Sequence, residues 1–328
     1  MTNRKIILAS RGSALALAQS TAVQAFCRAA FPELEFELRI IKTTGDKMQT
    51  QSLATTVQES TKGLFTKELE VALLEGAADF AVHSLKDLPT ELPPGLELAA
   101  VSERADPRDV LIFRKPPNSG KGPRGFSFQT RVQDFPADAV IATSSTRRQA
   151  QLLELNSGLK SAPIRGNVGT RLKKIAENSD LDAIVLAAAG LSRLQLRIGP
   201  SGQLSASAAV EAPPENLLVR CLSIEEMIPC VGQAALGIEA RANDSRIAAI
   251  CQKLNHPPTQ ACVTAERAFL RAMGGGCLSP VAAFAEIIGR QLRIRGISFH
   301  DQTMRRAELT GPVEEAERLG ESLARQVK

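Results

Sequence analysis

The sequence predicts an α/β protein with two sheet-containing halves and a small α+β tail. Three observations lead to this fold class. Short apolar runs alternate with amphipathic helical segments, which is the order of β-α-β wiring around a largely parallel sheet. This series starts near residue 5 and begins again after residue 106. An apolar run at 231–239 then predicts a strand that returns to the first half.

The first half contains three predicted strands and two helices. In order, these are a strand at 5–9, a helix at 14–30, a strand at 35–42, a helix at 63–75 and a strand from residue 80. Ser13 stands where a helix N-cap is expected. The long polar segment at 43–62 predicts a mobile loop or lid between the second strand and the second helix.

The second half repeats this order, and the tail follows a pair of prolines. The predicted elements are a strand at 139–142, a helix at 149–155, a short strand at 163–166, a helix from residue 167 and a strand at 182–188. After the returning strand come helices at 245–254 and 259–273 and strands near 281–288 and 291–298. Segments at 115–125 and 195–224 are rich in Pro, Gly, Ser or Ala, so we expect surface insertions there.

Composition limits the classes of function. The chain has 328 residues, of which 44% are hydrophobic and 23% are charged, as in a soluble globular protein of two or three domains. No apolar run reaches the roughly 20 residues of a membrane span, and the first residues do not resemble a signal peptide, so we expect a cytoplasmic protein. The six cysteines include no C-x-x-C pair, and only three histidines are present. This pattern argues against a metal site and favours reduced thiols.

The basic residues indicate a small anionic ligand. The net charge is only +5, and 27 of the 40 basic residues are Arg. Arg favours bidentate binding of carboxylates or phosphates over a diffuse charge field. Because Trp and Tyr are absent and no long basic run occurs, nucleic acid is a weaker interpretation.

Four turns between a predicted strand and the next helix carry Arg together with Ser or Asn. A helix N-terminus holds anions through its free N–H groups and its dipole, and an Arg in the same turn adds a charge-assisted bond. The turns contain Arg11 with Ser13, Ser145 with Arg147 and Arg148, Arg165 with Asn167 and Arg171, and Ser192 with Arg193. Solvated helix caps would explain one such turn, whereas four favour a polyanionic ligand.

The third strand of the first half leads into a cluster of polar residues. His83 and Ser84 are followed by Lys86 and Asp87, and Pro89 then stops regular structure. Ligands of open α/β sheets bind just beyond the carboxyl ends of strands. A carboxylate there can stabilise a cationic centre or exchange a proton with a nitrogen. An ordinary solvated strand end is the alternative, and we interpret His83 as a packed or supporting histidine.

Cys277 lies in the glycine turn Gly274-Gly-Gly-Cys-Leu-Ser-Pro280. Three glycines let the backbone approach a neighbour closely and leave the thiol sterically accessible. Structural cysteines are usually buried within an element, as we expect for the helical Cys27, Cys251 and Cys262. Cys277 is therefore a candidate nucleophile or attachment point, although no activating histidine can be assigned to it.

With these residues in hand, the chain resembles the porphobilinogen deaminases, also called hydroxymethylbilane synthases. The matching motifs run in the family's order from residue 11 to residue 277. They are RGSALALAQ from Arg11, TGD from Thr44, KGLFTKELE from Lys62, HSLKDLP from His83, TSSTRR from Thr143, RGNVGTR from Arg165, AAGLSRL from Ala188 and GGC up to Cys277. Thr146 departs from the family pattern, in which Leu is usual at this position.

The resemblance implies two domains like the halves of a type II periplasmic binding protein and a third domain that carries a dipyrromethane cofactor. The implied domains are 1–105 with 233–254, 106–232, and 255–328. The implied reaction joins four porphobilinogen molecules head to tail, with loss of ammonia at each step, and water then releases hydroxymethylbilane. We expect a monomer with no nucleic-acid or membrane partner.

The resemblance also implies roles for matching residues. Asp87 and Lys86 are the implied catalytic residues, and Cys277 holds the cofactor through a thioether. The other implied cofactor-binding residues are Ser13, Lys86, Asp87, Thr143, Ser144, Ser145, Arg147, Arg148, Arg165 and Gly166. The implied substrate-binding residues are Arg11, Ser13, Gln19, Phe65, Arg165, Asn167, Arg171 and Arg193.

Two other classes of function stay open at this point. One is a two-lobed solute-binding or ligand-sensing module, which needs the anion-binding turns but neither Asp87 beside Lys86 nor an accessible thiol. The other is a carboxylate-binding transferase that uses Cys277 as a transient nucleophile. The mass of the denatured protein separates both from an enzyme with a covalent cofactor.

Overall fold

The computed structural model describes residues 5–44, 66–117, 123–208, 210–274 and 279–328. Its described strands are β1 (Ile6–Arg11), β2 (Phe36–Ile41), β3 (Phe80–Ser84), β4 (Leu96–Val101), β5 (Asp109–Arg114), β6 (Val140–Ala142), β7 (Lys160–Ala162), β8 (Ala183–Ala187), β9 (Leu196–Ile198), β10 (Leu204–Ala206), β11 (Leu217–Cys221), β12 (Leu236–Arg241), β13 (Val281–Ile288), β14 (Gln291–Ser298) and β15 (Arg305–Pro312). Its described α-helices are α1 (Ala14–Ala30), α2 (Lys67–Leu74), α3 (Thr146–Leu155), α4 (Val168–Glu177), α5 (Ala188–Arg193), α6 (Ser245–Leu254), α7 (Pro257–Ala272) and α8 (Ala316–Val327).

The first α/β domain is built on a five-stranded sheet in the order β2-β1-β3-β12-β4. β1 pairs in parallel with β2 and β3, and β12 lies antiparallel between β3 and β4. Apolar residues such as Leu8, Phe80 and Ile238 fill its core, because a sheet with helices packed on it buries its strands. The predicted returning strand is confirmed, although it runs over Leu236–Arg241 instead of 231–239.

The second α/β domain repeats this arrangement in the order β7-β6-β8-β5-β11. β6 pairs in parallel with β7 and β8, and β5 lies antiparallel between β8 and β11. Each sheet therefore contains one antiparallel strand that the chain forms as it passes between the two domains. Together with a small α+β unit, this architecture confirms the predicted fold class.

The third unit places α7 and α8 against the antiparallel sheet β13-β14-β15. Phe269 of α7, Ile294 of β14 and Leu323 of α8 belong to its core. Gly320 lets the two helices approach closely, since a Cβ atom there would lie 2.0 Å from the carbonyl oxygen of Ala265. Both helices thus share one apolar layer over the sheet.

Two predicted segments were wrong. The short strand expected at 163–166 lies instead at Lys160–Ala162, because Pro163 has no N–H for pairing and Gly166 has a φ of 109°. The segment at 195–224 is not only an insertion, since it contains the hairpin β9-β10 and the sheet strand β11. Its Ser, Ala and Pro content hid the apolar start of β11.

Several boundaries also differ from the sequence prediction. α3 begins at Thr146, three residues before the predicted helix, and α7 begins at Pro257 with prolines in its first turn. The sequence prediction missed β4, β5, β15 and α8 altogether. The predicted loop at 43–62, the start of the helix predicted at 63–75 and the tip of the 115–125 insertion lie outside the described residues.

None of the described helices combines the length and the apolar character that a membrane crossing requires. The three domain boundaries stay a prediction. The membership of β5 and β12 in different sheets supports a break near 105 and a return near 233.

Candidate active site

Asp87 stands at the carboxyl end of β3, where the sequence predicted a site. After Ser84 the chain makes a 3-10 turn over Leu85–Asp87, which Leu85 anchors with a buried side chain and an N–H bond to the carbonyl oxygen of Ala235 at 3.1 Å. Asp87, the last residue of this turn, is exposed. No described residue donates a hydrogen bond to its carboxylate. The turn thus presents an acid that a ligand can reach.

A cavity in the first domain joins Asp87 to predicted ligand-binding residues. Its lining includes Arg11, Ser13, Gln19, His83 and Asp87. Ser13 accepts a hydrogen bond from the N–H of Ala16 at 3.3 Å and caps α1, as predicted. Gln19 is buried and exchanges hydrogen bonds with Ser84 at 2.8 and 3.1 Å. This contact ties α1 to the end of β3, next to the turn that carries Asp87.

Two cations from different domains interact electrostatically with Asp87. Lys86 is half-buried, and burial lowers its pKa, an effect that Asp87 opposes and Arg148 reinforces. Burial lowers the pKa of Arg193 to about 10, and Asp87 again opposes this effect. Arg193 also donates to the carbonyl oxygen of Ala234 at 2.6 Å, in the segment that leads into β12. The structure therefore brings Asp87, Lys86 and Arg193 together at the boundary of the two domains.

Arg147 and Arg148 are buried and share one acidic partner, Asp109. Their guanidinium groups lie 2.8 and 2.7 Å from the two carboxylate oxygens of Asp109. Burial by itself would raise the pKa of Asp109, but the two arginines hold that pKa well below its usual range. Gln233 donates to the same carboxylate at 2.9 Å. The two arginines are therefore fixed within the second domain.

Backbone carbonyls also hold this arginine pair. Arg147 donates to the oxygen of Ile228 at 2.7 Å, and Arg148 donates to the oxygen of Val185 at 3.0 Å. The Nε atoms of both arginines are buried and make no hydrogen bond within the described part of the chain. The predicted direct binding of carboxylates by these arginines stays a prediction.

The turn at 143–145 has the geometry of a helix-capping anion site. Ser145 caps α3 by accepting from the N–H of Arg148 at 3.4 Å, and Thr143 accepts from the N–H of Ser145 at 3.1 Å. Ser144 uses its hydroxyl to bind the backbone N–H and carbonyl oxygen of Ile164, at 3.0 and 2.8 Å. Ser144 thus joins this turn to the turn at 165–167.

The turn at 165–167 leaves its arginine open to solution. Arg165 is exposed and forms no ion pair with a described residue. Asn167 caps α4 by accepting from the N–H of Thr170 at 2.8 Å, and Arg171 is half-buried with its Nε bonded to the oxygen of Gly166 at 2.8 Å. Gly166 is needed here, because its φ is 109° and a Cβ atom would lie 2.8 Å from the side chain of Thr170.

Cys277 and Phe65 lie outside the described residues, so the predicted attachment point and the predicted aromatic contact stay predictions. The sequence analysis also missed three buried acids, namely Asp109, Glu239 and Glu266. Glu239 had a readable signal, since a carboxyl group within the apolar run 234–240 needs a buried partner and His83 lies in another apolar run. The sequence indicated less clearly that Asp109 is buried, because charged residues are common at the first position of a strand.

Glu266 links all three domains. It lies on α7, is fully buried, and accepts two hydrogen bonds from Arg104 at 2.6 and 3.0 Å. It also accepts from the N–H groups of Gly232 and Ala285, both at 2.8 Å. Arg104 in turn donates to the oxygen of Gln233 at 2.9 Å. The segments that join the first two domains are thus fastened to the third.

Comparison with known proteins finds relatives that match nearly the whole chain. The family model described as porphobilinogen deaminase, dipyromethane cofactor binding domain, matches residues 6–249, and the model of the porphobilinogen deaminase C-terminal domain matches residues 260–328. The porphobilinogen deaminase of Chromobacterium violaceum is 41% identical over 98% of this chain and 94% of its own length. The porphobilinogen deaminase of Thermus thermophilus is 42% identical over 99% of this chain and 95% of its own length.

Among solved structures, the BenM effector binding domain with its effector benzoate matches 76% of this chain and 90% of its own, with 12% identity and a TM-score of 0.40. The two family models and the curated relatives cover nearly the whole chain. The chain belongs to the porphobilinogen deaminase family.

Proposed function

We propose that this chain is a transferase that joins four porphobilinogen molecules head to tail and releases ammonia at each addition, with Asp87 as its catalytic carboxylate. The product is hydroxymethylbilane, assembled on a dipyrromethane that is held covalently. The observation that carries this proposal is the position of Asp87. Its carboxylate is exposed at the end of β3, accepts no hydrogen bond from a described residue, and interacts electrostatically with one cation of each α/β domain.

The cleft has the charge that an oligopyrrole with acetate and propionate groups requires. Burial lowers the pKa of Lys86 and of Arg171. The positive charge of Arg148 repels both cations and lowers the pKa of each further. Arg165 contributes a further exposed guanidinium without an ion pair among the described residues. Cations that crowd each other in this way are stabilised by an anionic ligand. The residues therefore fit a dipyrromethane.

Several turns would hold this group and the growing chain. The cofactor-binding residues that we propose are Ser13, Lys86, Asp87, Thr143, Ser144, Ser145, Arg147, Arg148, Arg165, Gly166 and Cys277. The free N–H groups at the start of α1 and α3 and the guanidinium of Arg165 suit carboxylates. When bound, the dipyrromethane supplies the pyrrole carbon to which the first substrate is joined.

Asp87 acts on the aminomethyl group of the incoming substrate. As the carbon–nitrogen bond breaks, the electron pair leaves with ammonia and positive charge spreads over the pyrrole and its methylene carbon. A fixed carboxylate in a confined site stabilises that charge as it develops, and this preorganisation lowers the barrier. Asp87 can also hold a proton of the leaving amine. Lys86 beside it interacts with this carboxylate electrostatically.

The substrate's own carboxylates are bound by residues on both sides of the cleft. We propose that Arg11, Ser13, Gln19, Phe65, Arg165, Asn167, Arg171 and Arg193 form this binding surface. Arg11, Ser13 and Gln19 line the cavity next to Asp87. Arg193 approaches from the second domain. Binding at this position orients the aminomethyl carbon toward Asp87. The condensation then takes place between two bound and oriented groups, which lowers its entropic cost.

The denatured mass of the purified protein tests this function together with an assay of porphobilinogen consumption. We expect a protein heavier than its sequence by two pyrrole units, and a Cys277→Ser variant that has the unmodified mass and does not turn over. Cys230→Ser is the matched control. Cys230 lies near Lys86, Asp87 and Arg147, but burial raises its pKa and keeps it a thiol. The control should carry the cofactor.

An unmodified mass in an enzyme that consumes porphobilinogen would reject the covalent cofactor and support a transient role for Cys277. Binding of carboxylated pyrroles without consumption would support a sensing module instead. We further propose that the protein acts as a cytoplasmic monomer with domains at 1–105 with 233–254, 106–232 and 255–328. A sedimentation experiment that finds a dimer would contradict the proposed monomeric state.

A further inference from the structure

A carboxylate and an imidazole form a buried pair in the wall of the Asp87 cavity. Nε2 of His83 lies 2.9 Å from Oε2 of Glu239, and the two side chains are 4% and 0% exposed. A carboxylate accepts hydrogen bonds and donates none, so Nε2 is the donor in this contact and Nδ1 is the nitrogen that is left for another partner. No described residue forms a hydrogen bond with Nδ1. His83 lines the cavity that also contains Asp87.

The second sheet shows that the fold does not require this pair. Glu239 lies opposite Ala81, the second residue of β3, and Ile112 lies opposite Ile184, the second residue of β8. By the same register, the fourth residues of β3 and β8 are His83 and Leu186. A hydrogen-bonded pair of His83 and Glu239 in the first sheet therefore stands where the second sheet has two aliphatic residues.

Keeping the pair costs stability. Glu239 is fully buried, and its Oε1 atom makes no hydrogen bond within the described ranges. A buried carboxylate with an unsatisfied oxygen is unfavourable, and aliphatic residues at such positions are often more stable. Only the first of the two similar sheets keeps this unfavourable carboxylate, and its partner His83 lines the cavity of Asp87. This combination indicates a role in the chemistry.

The condensation needs a base in addition to a stabilising carboxylate. A new carbon–carbon bond joins the methylene carbon of one pyrrole to the free α carbon of another, and ammonia leaves with the electrons of the carbon–nitrogen bond. The attacked α carbon must then lose its hydrogen as a proton, and the carbon–hydrogen electrons restore the aromatic ring. One proton is released at each addition. This requirement rests on the proposed function.

We propose that His83 is a further catalytic residue, which takes this proton at Nδ1 while Glu239 stabilises the resulting imidazolium. A carboxylate on one ring nitrogen fixes the tautomer and supports the charge that the other nitrogen acquires, as in carboxylate–histidine dyads of hydrolases. The proton then passes to water or to the departing ammonia. Asp87 stabilises the developing charge in this scheme and does not need to act as the base.

Other titratable and charged groups face the pair from neighbouring elements. Glu70 of α2 interacts with both members, and burial, supported by the negative charge of Glu239, raises its pKa. Arg11 and Asp87 line the same cavity. Three carboxyl groups, those of Glu70, Glu239 and Asp87, and the guanidinium of Arg11 therefore lie near His83.

A kinetic isotope experiment tests the role of His83. Porphobilinogen that carries deuterium at its free α carbon is compared with the ordinary substrate, for the cofactor-loaded enzyme and for His83→Gln. We expect kcat to fall about 10²- to 10⁴-fold, as for loss of a general base, and a primary isotope effect to appear because proton removal becomes rate-limiting. Glu239→Gln should show a smaller loss of the same kind. His300→Gln in the third domain is the matched control.

The double variant His83→Leu with Glu239→Ile gives the first sheet the residue pair of the second. It should fold, carry the cofactor and show the same isotope effect as His83→Gln. A folded, loaded His83→Gln or double variant with normal kcat and no isotope effect would overturn the proposal. A wild-type protein that does not consume porphobilinogen would instead overturn the proposed function, so the two failures are distinguishable.

Discussion

The two α/β domains have the same framework but different charges at their active faces. Asp79 precedes β3 and accepts from the N–H of Ile7 at 2.8 Å, and Asp182 precedes β8 and accepts from the N–H of Val140 at 2.8 Å. Arg241 at the end of β12 donates to a carbonyl oxygen near the end of α2, and Arg114 at the end of β5 donates to one near the end of α4. These shared contacts hold each sheet to its helices.

The differences lie where ligands would bind. The second domain has Arg147 and Arg148 after the Ser145 cap, whereas Leu15 and Ala16 stand at the same distance from the Ser13 cap in the first. The first domain has Asp87 after β3, whereas α5 and Arg193 follow β8. One domain thus supplies the acid and the other supplies most of the cations. Residues present in both domains explain the fold, and residues present in one explain the site.

Asp109→Asn should give the largest effect that follows from this comparison. It removes the one carboxylate that the two buried arginines share, and loss of one partner in a buried ion pair costs about 3–5 kcal/mol of unfolding free energy. Leu236→Val at the matching position of the first domain is the comparison variant, since it removes no ion pair and places no polar group in the core. Chemical denaturation of both variants measures the difference.

The pH dependence of stability gives a second readout for Asp109. Its pKa in the folded protein is depressed, so its contribution is fully present above its unfolded pKa of about 4 and is lost as pH falls through the folded pKa. Asp109→Asn should therefore flatten the decline in stability below about pH 4. A variant that keeps the slope of the parent would show that Arg147 and Arg148 are held by other contacts.

Asp87→Asn should reduce kcat with little change in stability. Removal of one group that stabilises developing charge typically costs about 10²- to 10³-fold in kcat. Asp87 accepts no hydrogen bond from a described residue, so the fold loses little. Asp106→Asn is the control, because Asp106 is an acid whose one ion pair among the described residues is with the nearby Arg108. Near-parental turnover of a folded Asp87→Asn enzyme would remove Asp87 from the mechanism.

Arg165→Ala should weaken ligand binding while the fold stays intact. Its exposed guanidinium pairs with no described residue, so the unfolding free energy should change by less than about 0.5 kcal/mol. Loss of a charge-assisted bond to a carboxylate should weaken cofactor loading or raise KM by about 10- to 100-fold. Arg197→Ala, on the exposed face of β9, tests whether any exposed arginine has this effect. Equal results for the two variants would contradict the binding role.

Ser13→Ala and Ser145→Ala should show the smallest effects and the closest agreement. Each serine caps the first helix of its domain, and loss of a cap costs about 1 kcal/mol. Thermal unfolding measures both variants. A cost several times larger at Ser145 would indicate that this turn does more for stability than its counterpart, and would break the symmetry of the two frameworks.

Local patterns predicted the fold better than they predicted the site. The N-cap at Ser13 and the order of strands and helices follow from signals within a few residues, and the structure confirms them. The missing strand at 163–166 shows a limit, because the register of β7 is set by β6 and not by the apolar residue Ile164. The strand β15 was missed because alternate charged residues such as Arg306 and Glu308 hide its buried face.

The partners of buried charges were beyond local reasoning. Arg147 and Arg148 are close in sequence to other polar residues of their turn, yet their acid is Asp109, which lies on another strand. The pair of His83 and Glu239 spans 156 residues. Such contacts depend on how the two domains are wound together, which a single sequence does not specify. By contrast, the place of Asp87 just after a strand was predicted, because a strand end is itself a local signal.

The return of β12 to the first sheet also bears on how the protein is made on the ribosome. A nascent chain that ends after Cys221 already contains every strand of the second sheet, whereas the first sheet still lacks its fourth strand, and β4 has no neighbour. The domain that is translated later can therefore be finished earlier, and the amino-terminal part must wait, incomplete, until Arg241 has emerged.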